Sequence, residues 1–158
     1  MAALLTLDRG NSTLDCMLHP GGQRARLDPA RVGELARFLG GSRPVRCVAA
    51  SVVPQGLAEA AAMLARAGVT MQVAGVDLPC PLRLDYETPE TLGVDRWVGA
   101  LAAWRAFGSA VVVDCGTATT GSMVDGEGVF RGGAIAPGPA GLAAGMAAWL
   151  PHLPPADA

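Results

Sequence analysis

Two stretches with one pattern decide the fold: LLTLDRGNST at residues 4–13 and VVVDCGTATT at residues 111–120. Each begins with an apolar run, continues with Asp-x-Gly, and ends in small residues with hydroxyl or amide side chains. The pattern predicts a strand, a glycine-containing turn and a second strand, with a carboxylate where the first strand ends. Backbone N–H groups and hydroxyls in such a turn can reach a phosphate, and the carboxylate can hold a cation or its waters. Two such loops predict a nucleotide bound between duplicated domains.

Strands and helices alternate around these two stretches. Apolar runs and alternations predict strands over residues 3–7, 12–18, 24–27, 45–53, 69–73, 110–113, 119–124 and 129–131. Apolar residues spaced three and four apart predict helices over residues 28–39, 57–67, 88–107 (with a possible break at Gly93) and 141–150. The expected fold class is therefore α/β.

Composition excludes several function classes. The chain has 158 residues, of which 51% are hydrophobic, so it can enclose a real core. A net charge of −2 gives no electrostatic reason to expect nucleic acid or an anionic membrane as a partner. All 12 basic residues are Arg, which excludes a P-loop lysine and a Schiff-base lysine.

Membrane and export signals are not expected either. The N-terminus lacks the basic region of a signal peptide and reaches Asp8 early. Residues 132–156 carry no formal charge, but Pro and Gly interrupt them too often for a spanning helix. We therefore expect a cytoplasmic protein with no membrane partner.

Six segments, in order and spacing, resemble the type III pantothenate kinases, a family also called Bvg accessory factors. The segments are DRGNS at 8–12, SVVP at 51–54, PLRLDY at 81–86, GVDR at 93–96, DCGTATT at 114–120 and GGAIAPG at 132–138. The resemblance implies duplicated ribonuclease H-like domains of the actin-like ATPase type. The first, with the substrate-binding segment, would span residues 1–108, and residues 109–158 would be the start of the second. Too few residues follow Asp114 for a second domain of about 100 residues, so we expect that domain to be incomplete.

The same resemblance implies roles for individual residues. Those that would bind ATP are Asp8, Arg9, Gly10, Asn11, Ser12, Thr13, Leu14, Asp15 and Thr117. Those that would line the pantothenate pocket are Tyr86, Gly93, Val94, Asp95 and Arg96. Asp95 would take the proton of the pantothenate hydroxyl, Asp8 would hold Mg²⁺ through water, and Asp114 would bind a monovalent cation, K⁺ or NH₄⁺. Residues 132–138 would approach the adenosine, and the protein would form a homodimer.

Other interpretations remain open for these residues. Asp95 and Arg96 could be a solvated pair on a helix, because neighbouring helical side chains do not face each other. Asp114 could be an ordinary turn residue. Arg9 stands where the family usually has a small or apolar residue, so it could either help to bind ATP or crowd it. The alternative to a kinase is a shortened, non-catalytic relative that acts as a binding or regulatory protein.

Overall fold

The computed structural model describes residues 3–31, 33–42, 44 and 46–154, which form two compact units. One unit comprises Met1–Cys80 and Gly93–Asp95, and the other comprises Pro81–Leu92 and Arg96–Ala158. Each unit contains one β-sheet, so the fold is mixed α/β with two sheets. The predicted domain boundary between residues 108 and 109 stays a prediction.

The strands and helices largely follow the predicted order. The strands are β1 (Leu4–Arg9), β2 (Leu14–His19), β3 (Gln23–Leu27), β4 (Arg46–Ser51), β5 (Thr70–Val73), β6 (Arg83–Leu84), β7 (Ala110–Cys115), β8 (Ala118–Val124) and β9 (Val129–Pro137). The helices are α1 (Gly33–Leu39), α2 (Ala58–Arg66), α3 (Val94–Phe107) and α4 (Pro139–Trp149). Short 3₁₀ turns cover Pro29–Arg31, Pro54–Leu57 and Pro89–Thr91. Residue 45, where one strand was predicted to begin, lies outside the described residues.

The first sheet has the order β3-β2-β1-β4-β5, with β1 paired antiparallel to β2 and parallel to β4. Alternation along β1 buries Leu5 and Leu7 on one face. Leu35 of α1 and Leu64 of α2 are fully buried in the same core cluster. The helices therefore cover this face of the sheet and hold β1 in the middle of it.

The second sheet has the order β6-β9-β8-β7. Strand β9 extends to Pro137, whereas the sequence predicted a strand only over residues 129–131. The glycine pair in GGAIAPG does not end the strand: Gly132 adopts a φ of 100° at a register shift opposite β8, and the strand continues beyond it. Strand β6, which pairs parallel with β9, was not predicted. Two residues are too short a run to produce a sequence signal.

The break predicted at Gly93 is confirmed. The 3₁₀ turn over Pro89–Thr91 ends at Leu92, whose backbone is extended, and α3 then begins at Val94. Trp97 of α3 is buried, as expected of a large apolar residue in an amphipathic helix. The described part of the chain has no helix long and apolar enough to span a membrane.

Candidate functional site

The first Asp-x-Gly loop joins β1 to β2. Asp8, near the end of β1, lies directly opposite Asp15, near the start of β2. The Asp15 carboxylate accepts a hydrogen bond from the Thr13 hydroxyl (3.1 Å) and pairs with Arg26 Nε (2.8 Å). Asp8 is exposed. The loop therefore presents the exposed Asp8 carboxylate beside an Asp15 carboxylate that pairs with Arg26.

The exposed turn contributes polar side chains, while its flanks are buried. Asn11 and Ser12 are exposed, and Thr13 is half-buried. Leu14 is 1% exposed and belongs to the hydrophobic core, and its backbone lies between β1 and β3, opposite Arg9 and Leu27.

Arg9 points away from the face that carries Asp8. Side chains alternate along a strand, so Arg9 shares the face of Leu5 and Leu7 and packs over Gly56 of the Pro54–Leu57 turn. A Cβ at position 56 would lie 2.8 Å from Arg9 Nε. Arg9 Nε and Nη1 are buried and have no hydrogen-bond partner among the described residues. The guanidinium group thus lacks acceptors for two of its three nitrogens.

Asp95 occupies the first turn of α3 and is half-buried. A carboxylate is favoured there, because the partial positive charge of a helix N-terminus stabilises an anion. No described residue hydrogen-bonds or ion-pairs with the Asp95 carboxylate. Gly93 and Val94, which were predicted to line the same pocket as Asp95, are also half-buried. Asp95 is therefore held in place by its helix, and its oxygens are uncommitted within the described chain.

The second Asp-x-Gly loop joins β7 to β8 and meets the end of β9. Asp114 is exposed and lies opposite Thr120. The Gly138 N–H donates to the Thr117 carbonyl (3.1 Å), and a Cβ at position 138 would overlap the Gly116 carbonyl oxygen. Glycine is therefore required at position 138 for the backbones to approach this closely. The structure thus brings together two of the segments that carried the family resemblance.

Tyr86 and Arg96 both contact the ring of Phe130. The Tyr86 ring stands edge-on to it at a centroid distance of 6.0 Å, and Arg96 Cζ lies 5.7 Å from its centroid. Phe130 itself is fully buried. Phe130 was not predicted as a functional residue, because residues 129–131 have the pattern of a short returning strand. Phe130 is one of only three Phe in the chain, and this scarcity was the available signal.

Arg96 is 7% exposed, far more buried than a solvated helix pair would be. Its Nε donates to Ser122 Oγ (3.1 Å) and its Nη2 donates to the Gly121 carbonyl (2.9 Å). A Cβ at Gly133 would lie 2.8 Å from Nη2 and overlap the Gly121 carbonyl oxygen. Gly133 therefore leaves the room that the guanidinium group occupies. These long-range contacts could not be read from local patterns.

Arg131 links the hairpin after β8 to the segment that carries Tyr86. Its Nη1 pairs with Asp85 (2.7 Å), and its Nε and Nη2 pair with Asp125 (2.8 and 2.7 Å). The Val129 N–H, which donates to Asp125 at 2.9 Å, is the main reason why the pKa of that carboxyl lies below its ordinary value, with Arg131 adding to it. The network anchors residue 85, and so positions Tyr86 beside Phe130.

No group of three or more His, Cys, Asp or Glu side chains able to hold a metal ion occurs in residues 3–31, 33–42, 44 or 46–154. Asp8 and Asp114 each carry carboxylate oxygens, the type of donor that Mg²⁺ prefers. Both are exposed, so each is reachable from solvent.

These features define an α/β protein with two sheets and an acidic strand–turn–strand loop in each. Residues 4–154 match the family model described as "Type III pantothenate kinase". The chain belongs to the type III pantothenate kinase family.

A relative named type III pantothenate kinase, from Nocardia farcinica, is 40% identical over 156 residues. The match covers 85% of this chain and 58% of the relative, so the chain spans less than two thirds of that relative's length.

Two solved structures have a similar fold. One, described as a conserved putative Baf family transcriptional activator from Campylobacter jejuni, has a TM-score of 0.61 at 22% identity, covering 94% of this chain and 62% of that one. A Ppx/GppA phosphatase from Aquifex aeolicus has a TM-score of 0.50 at 13% identity, covering 92% and 56%. At these identities the likeness concerns the fold alone.

Proposed function

We propose that this protein transfers the γ-phosphoryl group of ATP to the primary hydroxyl of pantothenate, the first step of coenzyme A biosynthesis. The observation that carries the proposal is the Asp95 carboxylate, which sits at a helix N-terminus without a partner among the described residues and next to buried Arg96. Family membership supports the same reaction. Phosphoryl transfer needs mainly positioning and charge neutralisation, together with one base for the attacking hydroxyl.

In the proposed mechanism, Asp95 accepts the proton of the pantothenate hydroxyl as its oxygen attacks the γ-phosphorus. Tyr86 and Arg96, together with the backbone of residues 93–94, hold the acceptor. Phe130 restricts the Tyr86 and Arg96 side chains, since both contact its ring. A base is effective only when it is held against the correct hydroxyl, so this support bears directly on rate.

The phosphates of ATP would lie on the loop of residues 8–15 and against Thr117. Asn11 and Ser12 provide exposed polar groups there. Mg²⁺, held by Asp8 through water, would supply charge neutralisation at the phosphate oxygens. Arg9 would contribute only if its side chain leaves Gly56, because its guanidinium packs on the opposite face of β1 from Asp8. Residues 132–138 would approach the adenosine.

Asp114 is the proposed ligand of a monovalent cation. An exposed carboxylate close to bound phosphates is repulsive unless a cation lies between them. Phosphorylation should therefore rise when K⁺ or NH₄⁺ is added and stay low in Na⁺, and Asp114→Ala should remove this response. Equal rates in the three salts would mean that Asp114 is a turn residue.

The proposal extends to architecture. The two units would be duplicated ribonuclease H-like domains of the actin-like type, with residues 109–158 forming the incomplete start of the second.

The protein would act in the cytoplasm as a homodimer. Among the described residues β7 is an edge strand on which Val111 and Val113 are 67% and 64% exposed, a surface suited to pairing with another chain. Sedimentation velocity at several concentrations tests this, with Val113→Lys expected to reduce association.

The decisive experiment replaces Asp95 by Asn and follows ADP release with pantothenate, ATP, Mg²⁺ and K⁺. The variant should lose phosphorylation about 10²–10⁴-fold while ATP binding, measured by calorimetry, stays near that of the wild type. Glu90→Gln, the same change at an exposed acid before α3, is the matched control. A variant that retained more than about a tenth of the wild-type rate would refute the assignment of the base. Tight ATP binding without turnover by the wild type would favour the non-catalytic relative instead.

A further inference from the structure

Arg96 is a buried cation whose hydrogen-bond acceptors are neutral. Its guanidinium donates to the Ser122 hydroxyl and the Gly121 carbonyl, and it lies over the face of Phe130. No carboxylate in the described chain forms a salt bridge with it. A guanidinium stays protonated in proteins. Its positive charge is therefore oriented by these contacts without being cancelled.

Ser122 contributes the acceptor that fixes the orientation of the guanidinium. It is 3% exposed in the middle of β8, directly opposite Gly133 of β9. A buried hydroxyl requires a hydrogen-bond partner, and Arg96 Nε at 3.1 Å is the one the structure provides. Gly133 keeps the neighbouring space open, because a Cβ there would press on Arg96 Nη2. The position of the guanidinium thus depends on the Ser122 hydroxyl and on the absence of a side chain at Gly133.

We propose that Ser122 is a positioning residue for binding of the molecule that receives the phosphoryl group. Ser122 orients Arg96 so that the uncompensated charge of the guanidinium is presented to this molecule, which is an anion. The proposal rests on the proposed function, in which Arg96 binds pantothenate, a carboxylate. Ser122 acts through Arg96 and touches no reacting atom. It should therefore affect binding of the acceptor more than the phosphoryl-transfer step and leave ATP unaffected.

A matched pair of variants separates the hydrogen bond from packing. Ser122→Thr and Ser122→Val add the same bulk to β8, but only Thr keeps a hydroxyl. We expect Val to raise the KM for pantothenate about tenfold, the loss that follows from one hydrogen bond to a charged group, with the KM for ATP unchanged. Thr should stay within about twofold of the wild type. Ser109→Ala, at an exposed serine of the same unit, controls for loss of a hydroxyl elsewhere.

A second readout does not depend on turnover. In ¹⁵N–¹H spectra the Nε–H resonance of Arg96, assigned with Arg96→Lys, should be protected from exchange in the wild type and in Ser122→Thr. In Ser122→Val it should shift and exchange faster. Equal behaviour of Thr and Val in the spectra would overturn the positioning role, as would an equal rise in both KM values. A wild-type chain that fails to phosphorylate pantothenate refutes the proposed function, and the spectra still decide whether Ser122 orients Arg96.

Discussion

Replacing Arg9 by Met should stabilise the protein when no anion is present. Arg9 Nε and Nη1 are buried without acceptors among the described residues, while the aliphatic part of the side chain packs over Gly56. Methionine keeps an unbranched apolar chain in the same place and removes the unpaired donors. The substitution therefore isolates the cost of burying the guanidinium.

The magnitude follows from the two unpaired donors. A buried donor without an acceptor costs about 1–3 kcal/mol, and a charged one costs more. The side chain is only half-buried as a whole, so part of the charge is still solvated. We expect the free energy of unfolding to rise by about 1–3 kcal/mol. For a unit of about 80 residues, such as the one that contains Arg9, each kcal/mol shifts Tm by about 4–8 °C.

Two spectroscopic probes locate the effect. All three Trp and the single Tyr lie in the unit formed by Pro81–Leu92 and Arg96–Ala158, so aromatic fluorescence reports only that unit. Far-UV circular dichroism reports both units. In urea unfolding, Arg9→Met should shift the dichroism transition to higher urea and leave the fluorescence transition unchanged. Arg24→Met makes the same change at an exposed site of β3 and should have little effect.

The same variant tests the proposed nucleotide site. If Arg9 turns towards bound phosphates, ATP should stabilise the wild type more than Arg9→Met, because a ligand stabilises the state that binds it. Lower stability of Arg9→Met without anions would refute the reasoning, since it would mean that the guanidinium has favourable partners where it lies.

Two further predictions concern the second unit. Phe130→Ala should cost about 3–5 kcal/mol, because the ring is fully buried, and should move the fluorescence-detected urea transition to lower urea; an unchanged transition would contradict its place in that core. Asp125→Asn should remove a pH-dependent stabilisation. The Val129 N–H lowers the pKa of Asp125 from its ordinary 3.8, so the contribution is fully present above that value and is lost as the pH falls through the folded-state pKa. Wild type and variant should therefore differ in urea midpoint at pH 7 and converge at low pH, and a constant gap would argue against this carboxylate.

Local patterns were sufficient for much of the fold. The two strand–turn–strand units, the break before α3 and the burial of Trp97 all follow from residue types within about ten positions of each other. Each of these features is decided by apolar spacing or by glycine and proline, whose effects act on the neighbouring backbone.

The remainder depended on residues far apart in the chain. Strand β9 continues past Gly132 because it pairs with β8. The residues of GGAIAPG do not by themselves indicate that β8 is the partner. The contacts of Arg96 to Ser122 and Phe130 join residues that are 26 or more positions apart in the chain, so local patterns could not predict them. Strand pairing and side-chain contacts of this kind are tertiary effects, and they override what local preferences alone predict.

The two Asp-x-Gly hairpins differ in how their first strands are supported. Strand β1 has β2 on one edge and β4 on the other, so the backbone leading to Asp8 is fixed on both sides. Within the described residues β7 has β8 on one edge and no strand on the other, and Val113, just before Asp114, is exposed. A strand with a free edge opens more easily than one paired on both sides. A chain that pairs with the open edge of β7 would also fix the backbone at Asp114, because Asp114 is a residue of β7. If β7 pairs with a second copy and Asp114 binds K⁺, as proposed, the two properties would be coupled through β7, and Val113→Lys should weaken both together.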